Sequence, residues 1–186
     1  MVPFLVVDIE ATCWPGEFDL EVSEIIEIGA VLVDHGQIAG GWQSCIRPAR
    51  NPVLSGFCKE LTGITQAQVG QAPSFPEVMA SFGAWFARWP DLEAWGSWGK
   101  YDLNHIERQC RQFQIENPLA RLTHHNLKAE FAKERNIKQC GMMAALRIAG
   151  LEPQGQHHRA LDDARNIARL VCQEGAQGYN REMEAI

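Results

Sequence analysis

The chain opens on an apolar, largely β-branched run, Val2 to Ile9, and leaves it through ATCWPGEFD, a stretch rich in Pro, Gly and acids. A buried strand and its exit loop are expected. EIIEIGAVLVD continues as a second strand, and His35-Gly36 turns it into a third, QIAGGWQSCIRP. Consecutive strands joined by a tight turn run antiparallel. SGFCKELTGI starts on Ser, sets Phe57, Cys58 and Leu61 at helical spacing, and meets Gly63 where a helix would end. SFPEVMASFGAWFARW carries Val78, Phe82, Trp85, Phe86 and Trp89 on one stripe, as a helix lying on a core does.

Strands and helices then alternate. LEAWGSWG predicts a fourth strand, followed by a helix from about Asp102 to Phe113 with Leu103, Ile106 and Cys110 inward. LTHHNL predicts a short fifth strand before a helix around residues 129–135, GMMAALRIAG a helix ended by Gly150, and ALDDARNIARLVCQEG a closing amphipathic helix. The order implies an α/β fold with a mixed, antiparallel plus parallel, five-stranded sheet flanked by helices. No repeat, low-complexity tract or Pro/Ser linker divides the 186 residues, so a single domain over 1–186 with its core at about 2–174 is expected.

Charge and cysteine usage limit the function classes. Seventeen Lys+Arg against twenty-three Asp+Glu leave a net charge of −6, which argues against a broad basic face gripping duplex nucleic acid. The asymmetry is internal: residues 1–93 hold four basic and twelve acidic side chains, residues 94–186 thirteen and eleven. The six cysteines are dispersed without a C-x-x-C pair, as reduced, buried thiols are in a cytoplasmic protein. The apolar opening is too short to span a membrane or act as a signal, so no membrane partner is expected.

Asp8 and Glu10 end the first strand on the same face, about 6.5–7 Å apart. They are either solvated strand-end acids or a buried pair that needs a cation between them. Asp102 opens a helix, where an Asp can simply be an N-cap. In HHRALDDARNIARL, helical phase puts Asp162 on a surface stripe with Arg165 and Arg169, and Asp163 beside Ile167 and Leu170 at the core edge. His158 lies in a loop preceded by Gly155, free to approach a ligand, whereas His157 is assigned a structural or solvent-facing place. Asp8, Glu10, Asp102 and Asp163 together would make an oxygen-only site suited to Mg²⁺ or Mn²⁺ rather than zinc. Two such ions with a loop histidine as base suit in-line phosphoryl displacement.

DIEATC, Asp102 after a Trp/Gly-rich strand, and His158-x-Ala160-x-x-Asp163 resemble the three motifs of the DEDDh 3′–5′ exonucleases, the ribonuclease H-like group of ribonuclease T. Within it, DIEATCW, EIIEIGAVLVD, SGFCKELTGITQ and the C-terminal segment are similar to the enhanced-RNAi exoribonuclease branch, over roughly residues 2–174. The resemblance implies a ribonuclease H-like fold, Asp8, Glu10, Asp102 and Asp163 as ligands of two Mg²⁺ or Mn²⁺ ions, and His158 as the base that deprotonates water. It also implies that Glu10 touches the terminal 3′-hydroxyl, that Ala11 and Leu103 frame the nucleotide with His158 beside it, and that Phe57 stacks on the base. From its own helix Phe57 reads equally well as a core residue. Tyr101 departs from the Trp that eukaryotic members carry beside the second-motif Asp, and no nucleic-acid-binding appendage is expected ahead of the first strand. Lys100, Arg108, Arg111, Lys128, Lys133, Arg159 and Arg165 are candidates for a phosphate groove.

The expected activity is release of 5′-mononucleotides from single-stranded RNA or DNA 3′ ends, RNA favoured. The rivals are an end-binding regulatory module with incidental activity and a phosphodiesterase for very short oligonucleotides. Nothing in the sequence points to a protein partner.

Overall fold

The computed structural model describes residues 2–16 and 22–184, with side chains through Gln173; part of the acidic exit loop therefore lies outside the described residues. Five strands, β1 (Phe4–Ala11), β2 (Ile25–Asp34), β3 (Gln37–Cys45), β4 (Ala94–Ser97) and β5 (Thr123–Asn126), form one sheet in the order β3-β2-β1-β4-β5. The β1–β2 and β2–β3 pairs are antiparallel, while β1–β4 and β4–β5 are parallel. The mixed five-stranded α/β fold is the one the sequence pattern implies.

Helices cover both faces. On one, Phe75, Val78, Phe82 and Phe86 of α3 (Phe75–Phe86) and Ile106 and Cys110 of α4 (Tyr101–Phe113) pack on Leu5, Val7 and Ile9. On the other, Phe131 of α5 (Leu127–Glu134), Leu146 of α6 (Met142–Ile148) and Ala164, Ile167 and Ala168 of α7 (Ala160–Glu184) pack on Val6, Val31 and Val33. Coverage on both sides explains why β2 is buried almost throughout and why its sequence is nearly continuous in apolar residues.

A third, smaller cluster holds α1 (Gly56–Thr62) and α2 (Gln66–Gln71) through Ile26, Leu54, Cys58, Ile64 and Val69. The sequence pattern did not foresee α2, whose Thr65–Gln68 capping box supplies its start. Nor does α1 turn Phe57 and Leu61 inward. Cys58 and Thr62 are its buried positions, because one narrow cluster needs only one edge of this short helix. All six cysteines are free. No helix among the described residues is long and apolar enough to cross a membrane.

Candidate active site

The site forms at the carboxyl ends of the parallel neighbours β1 and β4. Alternation along β1 puts Asp8 and Glu10 on the face of Val6, the face that α7 covers. Asp163, in the first turn of α7, descends onto them: single carboxylate oxygens of Asp8, Glu10 and Asp163 lie within 4.8 Å of one another. Asp102 approaches along the sheet, its Oδ1 accepting the Ile9 N–H at 3.2 Å. The β1–β4 ladder extends only from Phe4 to Val6, which leaves that N–H without a strand partner. Asp102 is therefore not an N-cap, the local role an Asp at a helix start can have. Lys100 occupies that position, and Asp102 falls inside the helix, buried and turned toward β1.

Two residues that the sequence reading missed decide where α7 lands. Gly29, paired with Asp8 across the ladder, lies directly beneath the start of the helix; a Cβ there would stand 2.2 Å from the Ala160 carbonyl carbon. Glu27, paired with Glu10, is fully buried. Its carboxylate accepts the Ala160 N–H at 3.0 Å, the Arg159 guanidinium through Nε at 3.2 Å and Nη2 at 2.8 Å, and Gln43 Nε2 at 2.6 Å. One anion thus satisfies the first N–H of α7, complements the helix dipole and anchors the loop before it. Its signal was present in the sequence: an acid inside an otherwise apolar strand needs a buried partner.

Burial sets the electrostatics first, with crowding of carboxylates adding to it at Asp8 and Glu10. Burial, then Asp102, Glu10, Asp163 and Glu27, push Asp8 well above the usual carboxylate range. Burial, then Asp163, Glu27 and Asp102, push Glu10 up to about 9, with the Arg159 guanidinium opposing. Burial raises Asp102 to about 6 against the pull of its backbone donors and the Ser97 hydroxyl. Such acids relax when a cation shares their space, and an all-oxygen donor set fits a hard divalent ion.

The histidine loop closes the other side. His158 adopts a left-handed φ of 65°, which brings its ring onto that of His157 with centroids 4.0 Å apart. The His158 N–H donates to Asp163 Oδ2 at 3.0 Å. His157, expected to be structural or solvent-facing, is exposed yet places Nδ1 2.9 and 3.1 Å from the two Asp163 oxygens. Burial and the neighbouring His157 lower the His158 pKa, with Asp163 opposing. Asp162 faces outward as expected, pairing with Arg165 at 3.4 Å and accepting the Gln156 N–H. Arg169 turns instead to the Glu152 carbonyl and Asn166.

Of the expected nucleotide contacts, Ala11 is buried and accepts the Cys58 thiol, Leu103 is half-buried, and Phe57 is 41% exposed on α1. Tyr101 is exposed beside Asp102, edge-on to His105. Three of the phosphate-groove candidates are engaged within the fold. Arg108 is buried against the Ser23 carbonyl and His105, Arg159 is held by Glu27, and Arg165 pairs with Asp162.

Residues 5–171 match the RNase_T family, whose members are described as exonucleases. The chain belongs to this exonuclease family. It is 32% identical over 189 residues to ERI1 exoribonuclease 2 of Homo sapiens, covering 90% of this chain and 27% of that protein. Against ERI1 exoribonuclease 2 of Danio rerio the identity is 34% over 188 residues, covering 90% and 34%. The chain thus spans about a third or less of the length of these relatives. The nuclease domain of 3′hExo, a DEDDh family member bound to rAMP, superposes with a TM-score of 0.88 at 29% identity, over 95% of this chain and 92% of that one. The family resemblance and the ribonuclease H-like sheet inferred from the motifs both hold.

Proposed function

We propose that this exonuclease-family chain is a divalent-metal-dependent 3′–5′ exonuclease. It acts as one domain, using two Mg²⁺ or Mn²⁺ ions to release 5′-mononucleotides from single-stranded 3′ ends, RNA in preference to DNA. The supporting observation is the convergence of Asp8, Glu10 and Asp163 within 4.8 Å, with Asp102 bonded to the strand between the first two. That the superposing 3′hExo domain binds rAMP supports a nucleotide in the same place.

In this reading Asp8, Glu10, Asp102 and Asp163 hold the ions. When bound, such ions supply positive charge to the attacking and departing oxygens of an in-line displacement. His158, whose pKa is lowered by burial and by the neighbouring His157, takes the proton of the attacking water. Glu10 also meets the terminal 3′-hydroxyl, Ala11 and Leu103 border the sugar and base with His158 alongside, and exposed Phe57 stacks on the base.

The test is nucleotide release from matched single-stranded RNA and DNA in each metal. Asp8→Asn and Asp163→Asn should abolish it; full activity in either would remove that residue from the mechanism. His158→Ala should bind metal normally and lose most of the rate, and normal turnover would refute its role. A chain that binds 3′ ends but releases no nucleotide with Mn²⁺ would be an end-binding module instead.

A further inference from the structure

The loop that carries His158 also builds something an oxygen-only nuclease site does not need. Neighbouring side chains in an extended loop point apart, but the left-handed φ of 65° at His158 folds two imidazoles onto the same side, stacked at 4.0 Å. His157 Nδ1 lies 2.9 and 3.1 Å from the Asp163 oxygens, and one donor atom from each of His157, His158 and Asp163 falls within 4.8 Å of the others. Asp163 is itself fixed by the His158 N–H, and the Asp163 N–H is held by the Arg159 carbonyl. Asp163 is therefore held in place before any ion arrives, and the two stacked imidazoles reach a shared ion by rotating out of parallel so that their in-plane nitrogens converge.

We propose that His157, His158 and Asp163 form a second metal site, selective for late transition ions such as Zn²⁺, whose occupation excludes hydrolysis. Two imidazole nitrogens with one carboxylate oxygen are a donor set that Zn²⁺ takes in tetrahedral geometry with a fourth position open, and exposed His157 leaves that position to water. Zinc bonds of about 2.0–2.1 Å place tetrahedral ligands about 3.3 Å apart, a few tenths of an ångström beyond the present His157–Asp163 separation. Mg²⁺ and Mn²⁺ prefer the oxygen cluster of Asp8, Glu10 and Asp163, so ligand chemistry sorts the two kinds of ion. Asp163 belongs to both sets, and an ion that takes the His158 nitrogen removes the base that hydrolysis needs.

Binding rests on this geometry alone; the inhibitory consequence rests on the roles proposed above for Asp163 and His158. Calorimetric titration of the full chain with Zn²⁺ should show one tight site that survives Asp8→Asn and weakens at least about tenfold in His157→Ala. With Co²⁺ as a probe, the visible absorption of a nitrogen-ligated, four-coordinate ion should appear in the wild type and vanish in His157→Ala. Unchanged Zn²⁺ affinity in His157→Ala overturns the site, as does loss of binding in Asp8→Asn, which would assign the ion to the carboxylates. In nucleotide-release assays at fixed Mg²⁺, with each variant scaled to its own zinc-free rate, His157→Ala should need at least about ten times more Zn²⁺ for half inhibition. Zinc that binds in the expected pattern yet leaves hydrolysis untouched overturns the exclusion and counts against the assigned roles of His158 and Asp163, while the site itself stands.

Discussion

Replacing Gly29 by Ala tests how strictly the contact between β2 and α7 sets the site. The added methyl would stand 2.2 Å from the Ala160 carbonyl carbon and the Leu161 nitrogen, and 2.4 Å from the Ala160 oxygen. These are backbone atoms that cannot rotate away. Restoring ordinary contact at 3.4 Å requires the start of α7 to lift by about 1.2 Å. That movement breaks the Ala160 N–H bond to Glu27 and carries Asp163, less than one turn further on, away from Asp8 and Glu10. Misplacing a reacting group by about 1 Å costs on the order of 100-fold, equivalent to about 2.7 kcal/mol. Overpacking of about 1–3 kcal/mol should lower Tm by about 2–12 °C. Rates should therefore be measured with 3′-labelled RNA and Mg²⁺ well below the transition. Gly41→Ala is the control: its nearest neighbour is the Leu161 side chain at 3.4 Å, so rate and Tm should stay near wild type. A Gly29→Ala protein within about twofold of the wild-type rate would refute the claim that this approach positions Asp163.

Glu27→Gln removes the charge that holds Arg159 and the start of α7. A fully buried pair broken on one side costs about 3–5 kcal/mol, and because Arg159 keeps some solvent contact about 2–3 kcal/mol is expected, read as a Tm loss of about 4–12 °C; an unchanged Tm would contradict it. Glu10 is raised from 4.5 to about 9, so across that window the folded, metal-free chain holds a proton that the unfolded chain has released, and stability falls as pH rises. In EDTA, Tm should drop between about pH 6 and about pH 8.5, less so with Mg²⁺ or in Glu10→Gln; a wild-type Tm that holds or rises would refute the assignment. Phe57→Ala should leave Tm nearly unchanged, because the ring is exposed, and raise KM for RNA about fivefold or more, with an unaltered KM excluding stacking.

Helical phase separated Asp163 from Asp162 correctly, because a long amphipathic helix on a flat sheet has one apolar stripe, and a residue at its edge must face what the sheet offers. The motif spacing picked out acids that the fold brings together, while how each is held depended on the fold. Asp102 could not be told from a cap until β4 was seen to stop short of Ile9. Phe57 has the spacing of a helix on a broad core but stays outside, since α1 meets only a narrow cluster of Ile26, Leu54, Ile64 and Val69 through Cys58. Gly29 was invisible for a different reason: a close approach depends on two segments 131 residues apart, Gly29 and Ala160, and nothing local to Gly29 reports it. The stacking of two adjacent histidines likewise depends on one backbone dihedral that composition does not encode.

The site is closed by the last helix over the first strand, which has a temporal meaning. As the chain emerges from the ribosome, Asp8 and Glu10 appear first of these acids, and Asp163 follows 155 residues after Asp8. At about 5–20 residues per second the delay is roughly 8–30 s. Asp102 joins them part-way through that interval, so the nascent protein comes to hold three of the four proposed carboxylates while still lacking Asp163. A fragment released before α7 would keep every strand of the sheet and still lack the acid that completes the cluster.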